Sequence, residues 1–192
     1  GNFIVASANG LVALWSSGTF GSPAAVMALD NLGVARVYAR GGRVLWDSSA
    51  RQRIVNAALS QVGVTEVPLG SNRIPGDPYS NGSTSWCAHF ASWAWRQGCV
   101  PIGVTPFSGT MFTWAQANTV TRPPTARPKP GDAILYGTGP ANTTTSTHVG
   151  IVVDVRADGA IQTVEVNYND RVTLRTWFFP TGIYGYASPV RD

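Results

Sequence analysis

A cysteine and a histidine that lie far apart in the chain are the side chains best suited to chemistry. Cys87 stands near the start of the sequence WCAHFASWAW, residues 86–95, which is predicted to form a helix that stops at Gly98. The preceding run, residues 80–85, is rich in residues that cap helix N-termini. A thiol in the first helical turn lies at the positive end of the helix dipole, which favours the nucleophilic thiolate. Taken alone, the position fits a buried core cysteine equally well.

His148 supplies the second element. It lies at the start of a predicted strand, residues 147–155, and an Asp-Gly turn returns the chain as a second strand, residues 161–168. A loop of two or four residues places His148, Glu165 and Asn167 on one face, whereas a three-residue loop places Glu165 and Asn167 on the other face. A lone strand-end histidine is more simply explained as structural. Beside a cysteine and a carboxylate or amide, it is predicted to be the general base of a thiol nucleophile.

Other residues near these two are weaker candidates for the site. His89 stands two positions after Cys87, so it does not face the thiol on a helix, and we interpret it as structural or as lining the cleft. Trp86 and the Gly- and Thr-rich loop 137–146 are predicted cleft walls, and Trp114 is a weaker one. The two histidines and two cysteines lack the spacing of a zinc site, so no metal or organic cofactor is expected.

The composition limits the class of protein. With 12% charged residues, 21 Gly and 13 Pro in 192 residues, the chain fits a compact, loop-rich protein with much β structure. The net charge of +4 comes without any Lys/Arg run, so a nucleic-acid arm is not expected, and only mild attraction to an anionic polymer such as a bacterial wall follows. No apolar run approaches membrane-spanning length. Cys99 is predicted to be a buried thiol at the other helix end, too far from Cys87 for a disulfide.

The hydrophobic periodicity predicts an α+β fold in two sections. Residues 1–50 are predicted to be a small all-β section, and residues 51–192 the main domain. Helices are predicted over 51–63 and 108–118, besides the one that begins near residue 86. Five strands are predicted to follow, at 132–136, 147–155, 161–168, 172–177 and 183–186. The long loop 64–85 is interpreted as solvated, although Asn72, Asp77, Asn81 and Ser83 have oxygen atoms that suit Ca²⁺.

The first section contains two similar strand-and-turn units, residues 11–17 and 43–49, and a Gly41-Gly42 hairpin turn. It resembles the bulb-type mannose-binding lectin repeat. Of that family's sugar-binding strand only Asp30 and Tyr38 are present, and Leu32, Val34 and Arg36 occupy the positions between them, so the sugar site is expected to be lost. About 50 residues of sheet bury little core, so docking on the main domain or homodimerisation is expected.

A stronger resemblance covers about residues 51–190. The blocks 86–93, 129–136, 147–152 and 164–167 occur in the order typical of the CHAP family, the cysteine, histidine-dependent amidohydrolases/peptidases that cut bacterial peptidoglycan. The resemblance implies a papain-like core of helices on a twisted antiparallel sheet. It also implies that Cys87 is the nucleophile, that His148 is the base and that Glu165 orients His148. Asn167 is then expected to assist His148 or to polarise the reacting carbonyl.

The expected function is therefore hydrolysis of a peptidoglycan amide, at the cell wall or outside the cell. The sequence does not distinguish which bond is cut: the muramoyl–alanine amide, a stem-peptide bond or a cross-bridge. Two alternatives stay open at this point: a catalytically inert protein that binds wall or glycan, and a papain-like acyltransferase that excludes water.

Overall fold

A computed structural model describes residues 4–6, 13–16, 24–29, 35–42, 44–47, 49–76, 79 and 84–191. The first section forms two small antiparallel sheets. One pairs β1 (Ile4–Ala6) with β2 (Ala13–Ser16), and the other has the order β3 (Val26–Leu29), β4 (Ala35–Tyr38) and β5 (Val44–Asp47). The predicted short antiparallel strands are thus confirmed for the described part, with a turn at Gly41-Gly42 between β4 and β5. Asp30, Leu32 and Val34 of the lectin-like pattern lie outside the described residues.

Three helices follow the predicted positions. The first, α1 (Ala50–Ser60), is capped by Ser49, whose side chain accepts a hydrogen bond from the Gln52 backbone N–H. The second and third are α2 (Cys87–Gln97) and α3 (Gly109–Asn118). None of the helices in the described ranges is long and apolar enough to span a membrane.

The main sheet has six antiparallel strands in the order β10, β9, β8, β7, β11, β6. Their bounds are β6 (Thr121–Arg122), β7 (Ala133–Gly137), β8 (Ser146–Val155), β9 (Ile161–Tyr168), β10 (Arg171–Trp177) and β11 (Ile183–Ala187). The five predicted strands are confirmed, and the two-residue β6 adds an edge next to β11. The α+β class is therefore confirmed.

Alternation along β8 and β9 divides the core into two layers. One face of the sheet packs in the same cluster as the three helices through five buried side chains, Val149, Ile151, Val153, Val164 and Val166. The opposite face carries a smaller cluster of four, Ile134, Val152, Ile161 and Tyr186. The helix α2 is the most deeply buried of the three, and both polar and apolar residues of its first two turns are covered.

The ends of α2 differ from the sequence-based expectation. Trp86 is the N-cap and makes no side-chain capping bond, whereas residues 80–83 of the predicted capping run lie outside the described residues. Cys99, predicted to be buried, is exposed and adopts a left-handed φ of 62°. Gly98 is the C-cap, as predicted, and the close packing there also requires glycine, since an added Cβ would stand 2.6 Å from Ile54 Cγ1 and 2.7 Å from the Ala50 carbonyl oxygen.

A buried carboxylate joins α1 to the sheet. Asp132 is fully buried just before β7, and its two oxygens accept bonds from Arg51 Nη1 at 2.8 Å and from Arg122 Nη1 at 3.1 Å. The Lys129 backbone N–H also donates to it at 2.8 Å. Burial raises the pKa of Asp132 above its ordinary value, although both guanidinium groups act in the opposite direction. The family-like sequence Lys129-Pro130-Gly131-Asp132 thus has a structural role.

We expect Asp132→Asn to lower the free energy of unfolding by about 2 kcal/mol, because the new amide N–H₂ would face buried donors that lose their acceptor. Urea denaturation measures the change. Asp154→Asn is the matched control, since Asp154 is exposed on β8, and it is expected to stay within about 0.5 kcal/mol of the wild type. Equal stability of the two variants would contradict the anchoring role of Asp132.

Candidate active site

Cys87 is the first residue of α2 and is 8% exposed. The Phe90 N–H donates to the Trp86 carbonyl at 2.9 Å, which begins the hydrogen-bond ladder of the helix. The N–H groups of Cys87, Ala88 and His89 precede that first bond and have no carbonyl four residues back within the helix. Trp86 supplies no side-chain cap for these donors, and the thiol lies in the same first turn, at the positive end of the helix dipole.

His148 lies between the thiol and a buried carboxylate. Its Nε2 is 2.7 Å from Glu165 Oε2, and the Cys87 side chain is near enough to the imidazole to raise the pKa of His148. Since Glu165 occupies Nε2, Nδ1 is the nitrogen left for the thiol. The His148 side chain is 29% exposed and that of Glu165 only 1%, so the imidazole stands at the boundary between solvent and core. The structure thus brings together three of the predicted residues.

The register that aligns Glu165 with His148 arises differently from the expectation. Val155 pairs with Ile161, so the loop between them has five residues, an odd number that by itself would turn Glu165 to the opposite face. An irregularity between Val152 and Asp154 shifts the register by one residue. Beyond it Ile151 pairs with Val164, which returns Glu165 to the face of His148. A bulge, and not the loop length, therefore aligns the pair.

Two residues that the sequence analysis missed hold the Glu165 carboxylate. A Cβ at Gly150 would lie 2.4 Å from Glu165 Oε2 and 2.6 Å from Oε1, so only glycine leaves room for the carboxylate there. The Tyr136 hydroxyl donates to Glu165 Oε1 at 2.9 Å, and its ring lies 5.3 Å from the imidazole. Gly150 stands two residues after His148, so the two residues share one face of the strand. That spacing is the feature of the sequence that indicates Gly150.

The hydrogen bonds in this cluster determine its protonation. Burial lowers the pKa of His148, but the hydrogen bonds with Cys87 and Glu165 and their negative charges outweigh it and raise the value to about 10. Burial acts to raise the pKa of Glu165, but the bonds from His148, Thr163 and Tyr136 hold it below its ordinary value. For Tyr136, burial and the neighbouring Glu165 charge raise the pKa, so its hydroxyl stays a donor. At neutral pH the imidazole is therefore protonated and Glu165 ionised.

Asn167, the fourth predicted residue, is placed differently. It has a left-handed φ of 58°, and its Nδ2 donates to Asn72 Oδ1 at 3.2 Å. The Asn72 N–H in turn donates to Glu66 Oε2 at 2.8 Å, and Glu66 Oε1 accepts the Trp86 indole N–H at 2.8 Å. The described hydrogen bonds thus connect Asn167 on β9 to the N-cap of α2. This chain ties the strand that carries Glu165 to the residue that precedes Cys87.

The three predicted cleft residues are not at the cleft. Trp86 is fully buried and stacks on Tyr79 with ring centroids 5.6 Å apart. His89 is 4% exposed, and its Nδ1 has no hydrogen-bond partner among the described residues. Trp114 packs edge-on against Trp95 at 5.6 Å. Trp86 and His89 are buried and Trp114 packs against the core, whereas the loop 137–146 does line the cleft, through Thr143 and Ser146.

Metal ligands do not converge in the described part of the chain. No group of three or more His, Cys, Asp or Glu side chains there is placed to hold a metal ion. Of the loop residues with oxygen atoms suited to Ca²⁺, Asn72 has the contacts given above, while Asp77, Asn81 and Ser83 lie outside the described residues.

The comparison with known families agrees with the order of the sequence blocks. Residues 78–167, just under half of the chain, match the family model described as CHAP domain. Over these residues the chain is similar to the CHAP family. The matched region spans Cys87, His148, Glu165 and Asn167, and the predicted resemblance is confirmed.

Similar solved structures include NlpC1 from Trichomonas vaginalis, which is 16% identical with a TM-score of 0.45 over 85% of this chain and 58% of that one. Ly7917 is 18% identical with a TM-score of 0.46, over 72% of this chain and 62% of that one. A further structure holds Ly7917 with the hydrolysing product of MDP, at 19% identity, a TM-score of 0.48 and the same coverage. The matches thus span about three fifths of those chains. No curated protein matches the chain.

Replacing Glu165 by Gln is expected to lower the pKa of His148 from about 10 toward its ordinary value of 6.5, because the opposing charge is lost while burial of the ring persists. NMR titration of the imidazole carbon-bound protons measures the shift. Asp158→Asn, in the exposed turn at the other end of β8, is the control and should leave the titration unchanged. An unaltered His148 titration in Glu165→Gln would contradict the pairing.

Gly150→Ala is expected to slow alkylation of Cys87 by about 100-fold, because the new methyl group displaces Glu165 and with it the imidazole. Iodoacetamide kinetics at pH 7 in a Cys99→Ser background report Cys87 alone. The matched control is Gly103→Ala, where an added Cβ has no atom within 4 Å. If both alanine variants react at the wild-type rate while remaining folded by circular dichroism, the spatial requirement at residue 150 is refuted.

Proposed function

We propose that the chain hydrolyses an amide bond of bacterial peptidoglycan, with Cys87 as nucleophile and His148 as acid and base. The single observation that carries the proposal is the 2.7 Å contact between His148 Nε2 and the buried carboxylate of Glu165, next to the Cys87 thiol at the start of α2. The match to the CHAP family supports the substrate class. We further propose that the protein acts at the cell wall or outside the cell.

In the acylation step, the Cys87 thiolate attacks the carbonyl carbon of the amide. The carbonyl oxygen becomes an oxyanion, and the uncapped N–H groups at the start of α2, including that of Cys87, are the donors that stabilise it. The protonated His148 ring then gives its proton to the amide nitrogen as the C–N bond breaks. The amine leaves, and a thioester to Cys87 remains.

In the deacylation step, the neutral imidazole takes a proton from water, and the resulting hydroxide attacks the thioester carbonyl. The C–S bond breaks, the carboxylic acid product leaves, and the thiolate beside protonated His148 is restored. Glu165 keeps the imidazole oriented through Nε2 in both steps and balances its positive charge. Asn167 is assigned to positioning, because its amide connects to the N-cap of α2 through Asn72 and Glu66.

The small β section has a separate proposed role. Three of the four residues of β3 carry large apolar side chains that are exposed, Val26 at 62%, Met27 at 42% and Leu29 at 72%. An exposed apolar edge strand favours contact with another surface. We propose that residues 1–50 either dock on the main domain or form a homodimer, and sedimentation analysis of the chain distinguishes these arrangements.

We expect Cys87→Ser to lower the rate of peptidoglycan hydrolysis at least ~1,000-fold, since the hydroxyl is a far weaker nucleophile than a thiolate. Mass spectrometry of released wall fragments measures the rate and identifies the bond. Cys99→Ser is the matched control, because Cys99 is an exposed thiol beyond the opposite end of α2, and it should retain wild-type activity.

The same experiment distinguishes the alternatives. Hydrolysis yields a new free amine and a free carboxyl group on the fragments. An acyltransferase would instead yield an acyl group moved to a second amine or hydroxyl. Wall binding without any Cys87-dependent product would identify an inert binding protein and refute the proposed function.

A further inference from the structure

Arg175, on the edge strand β10, is a cation that two aromatic rings hold in place. Its Cζ lies 4.1 Å from the centroid of the Tyr168 ring and 4.0 Å from that of the Trp177 ring. Within the part of the chain that the structure describes, its guanidinium makes no hydrogen bond or ion pair. The two arginines beside Asp132, by contrast, bond that buried carboxylate. Arg175 therefore has ring contacts where these arginines have an anion.

The rings restrict the guanidinium without using its hydrogen-bonding capacity. The Trp177 indole N–H donates to Thr163 Oγ1 at 3.0 Å, and Thr163 is fully buried, so this ring is fixed to the sheet. A ring face attracts the positive charge but offers no oxygen atom to the N–H donors of an arginine. A side chain that is ordered in advance loses less conformational entropy when it binds a ligand. Arg175 is thus preorganised to bind an anion through oxygen atoms.

Arg175 lies on the face of the sheet that carries the acid–base pair. It pairs with Thr163 on β9, and Glu165 stands two residues further along that strand. Because paired residues point the same way and alternate residues of a strand share a face, Arg175 and Glu165 both project to the side of His148. Arg175 and His148 are each half-buried, so both are accessible from solvent.

The ring of Tyr136 lies close to both groups. Its centroid is 6.4 Å from that of Trp177, which contacts Arg175, and 5.3 Å from that of the His148 imidazole. The charge of Arg175 also acts to lower the pKa of Tyr136, against the larger effect of burial. The guanidinium is therefore near the phenol that holds Glu165, and one substrate molecule can contact it and the acid–base pair together.

We propose that Arg175 binds a free carboxylate of the peptidoglycan peptide, which anchors the substrate on β10 while its amide meets Cys87. This inference rests on the proposed function and adds a specificity to it. A carboxylate is planar and accepts two parallel N–H bonds from one guanidinium, whereas a carboxamide has only one oxygen to accept them. The net charge of +4 favours the approach of an anionic substrate. Wall peptides that carry an amide in place of this carboxylate are then poorer ligands.

The probes are a synthetic muramoyl pentapeptide and analogues in which its carboxylates are converted, one at a time, to primary amides. Calorimetry with Cys87→Ala measures their affinity without cleavage. One amidated analogue is expected to bind about tenfold more weakly than the parent peptide, because a charge-assisted pair of hydrogen bonds is lost. Equal affinity for the parent and every analogue, or no measurable binding of the parent, overturns the proposal.

A substitution at the arginine tests the assignment of this difference. Arg175→Gln in the Cys87→Ala background should make the parent and that amidated analogue bind alike. Arg156→Gln removes the same charge in the exposed turn between β8 and β9, so it is the matched control and should keep the tenfold difference. A difference that persists in Arg175→Gln contradicts the proposal.

A second variant tests the contribution of the rings and leaves the arginine in place. Tyr168 is 45% exposed at the end of β9, and Tyr168→Leu removes one of the two rings that restrict Arg175. The charge stays but the side chain gains freedom, so the difference between parent and amidated analogue is expected to fall about threefold. An unchanged difference in this variant counts against a preorganised guanidinium.

Turnover by the wild-type protein separates this proposal from the hydrolase. If whole peptidoglycan yields Cys87-dependent products while amidation changes no affinity, the role of Arg175 is refuted and the proposed function stands. If no Cys87-dependent product forms while the carboxylate preference depends on Arg175, the hydrolase is refuted and Arg175 remains a binding residue.

Discussion

The contact between His148 Nε2 and Glu165 Oε2, 2.7 Å long, is the interaction on which the site depends. A carboxylate that is only 1% exposed is costly to ionise unless its oxygens are fully paired. Here the imidazole occupies one oxygen and the Tyr136 hydroxyl the other. The same pairing leaves Nδ1 available to the thiol, and Cys87 and Glu165 together raise the pKa of the ring. The orientation of the acid–base group thus follows from one buried charge.

That contact restricts the backbone around it. The Glu165 carboxylate occupies the space that a side chain at position 150 would need, so the strand requires glycine two residues after His148. The bulge near Val153 brings Glu165 to the correct face, since the five-residue loop alone would leave it in the helix-facing layer. Without the bulge, the residues of β9 that face the helices and those that face away from them would change places. The site and the core therefore depend on the same irregularity.

The helix that carries the thiol is positioned from two sides. Its apolar residues fill the core between α1 and the sheet, and its N-cap is held by the buried carboxylate of Glu66. The hydrogen bonds through Asn72 connect this carboxylate to Asn167 on β9. Helix and sheet are thereby joined by directional bonds close to the nucleophile, where a small shift would alter the distance to His148. Packing alone permits such shifts more readily than hydrogen bonds do.

The sequence by itself determined the helix with Cys87 in its first turn, the alternating strands and the order of the family blocks. These depend on neighbours a few residues apart, so local patterns suffice. Tertiary structure alone decided that Glu165 and not Asn167 contacts His148, that Trp86 is buried, and that Cys99 is exposed. Each of those outcomes depends on a bulge, on an approach between helices or on a partner distant in sequence, such as Glu66 for Trp86. Hydrophobic periodicity cannot predict such contacts, because they form only when the helices pack on the sheet.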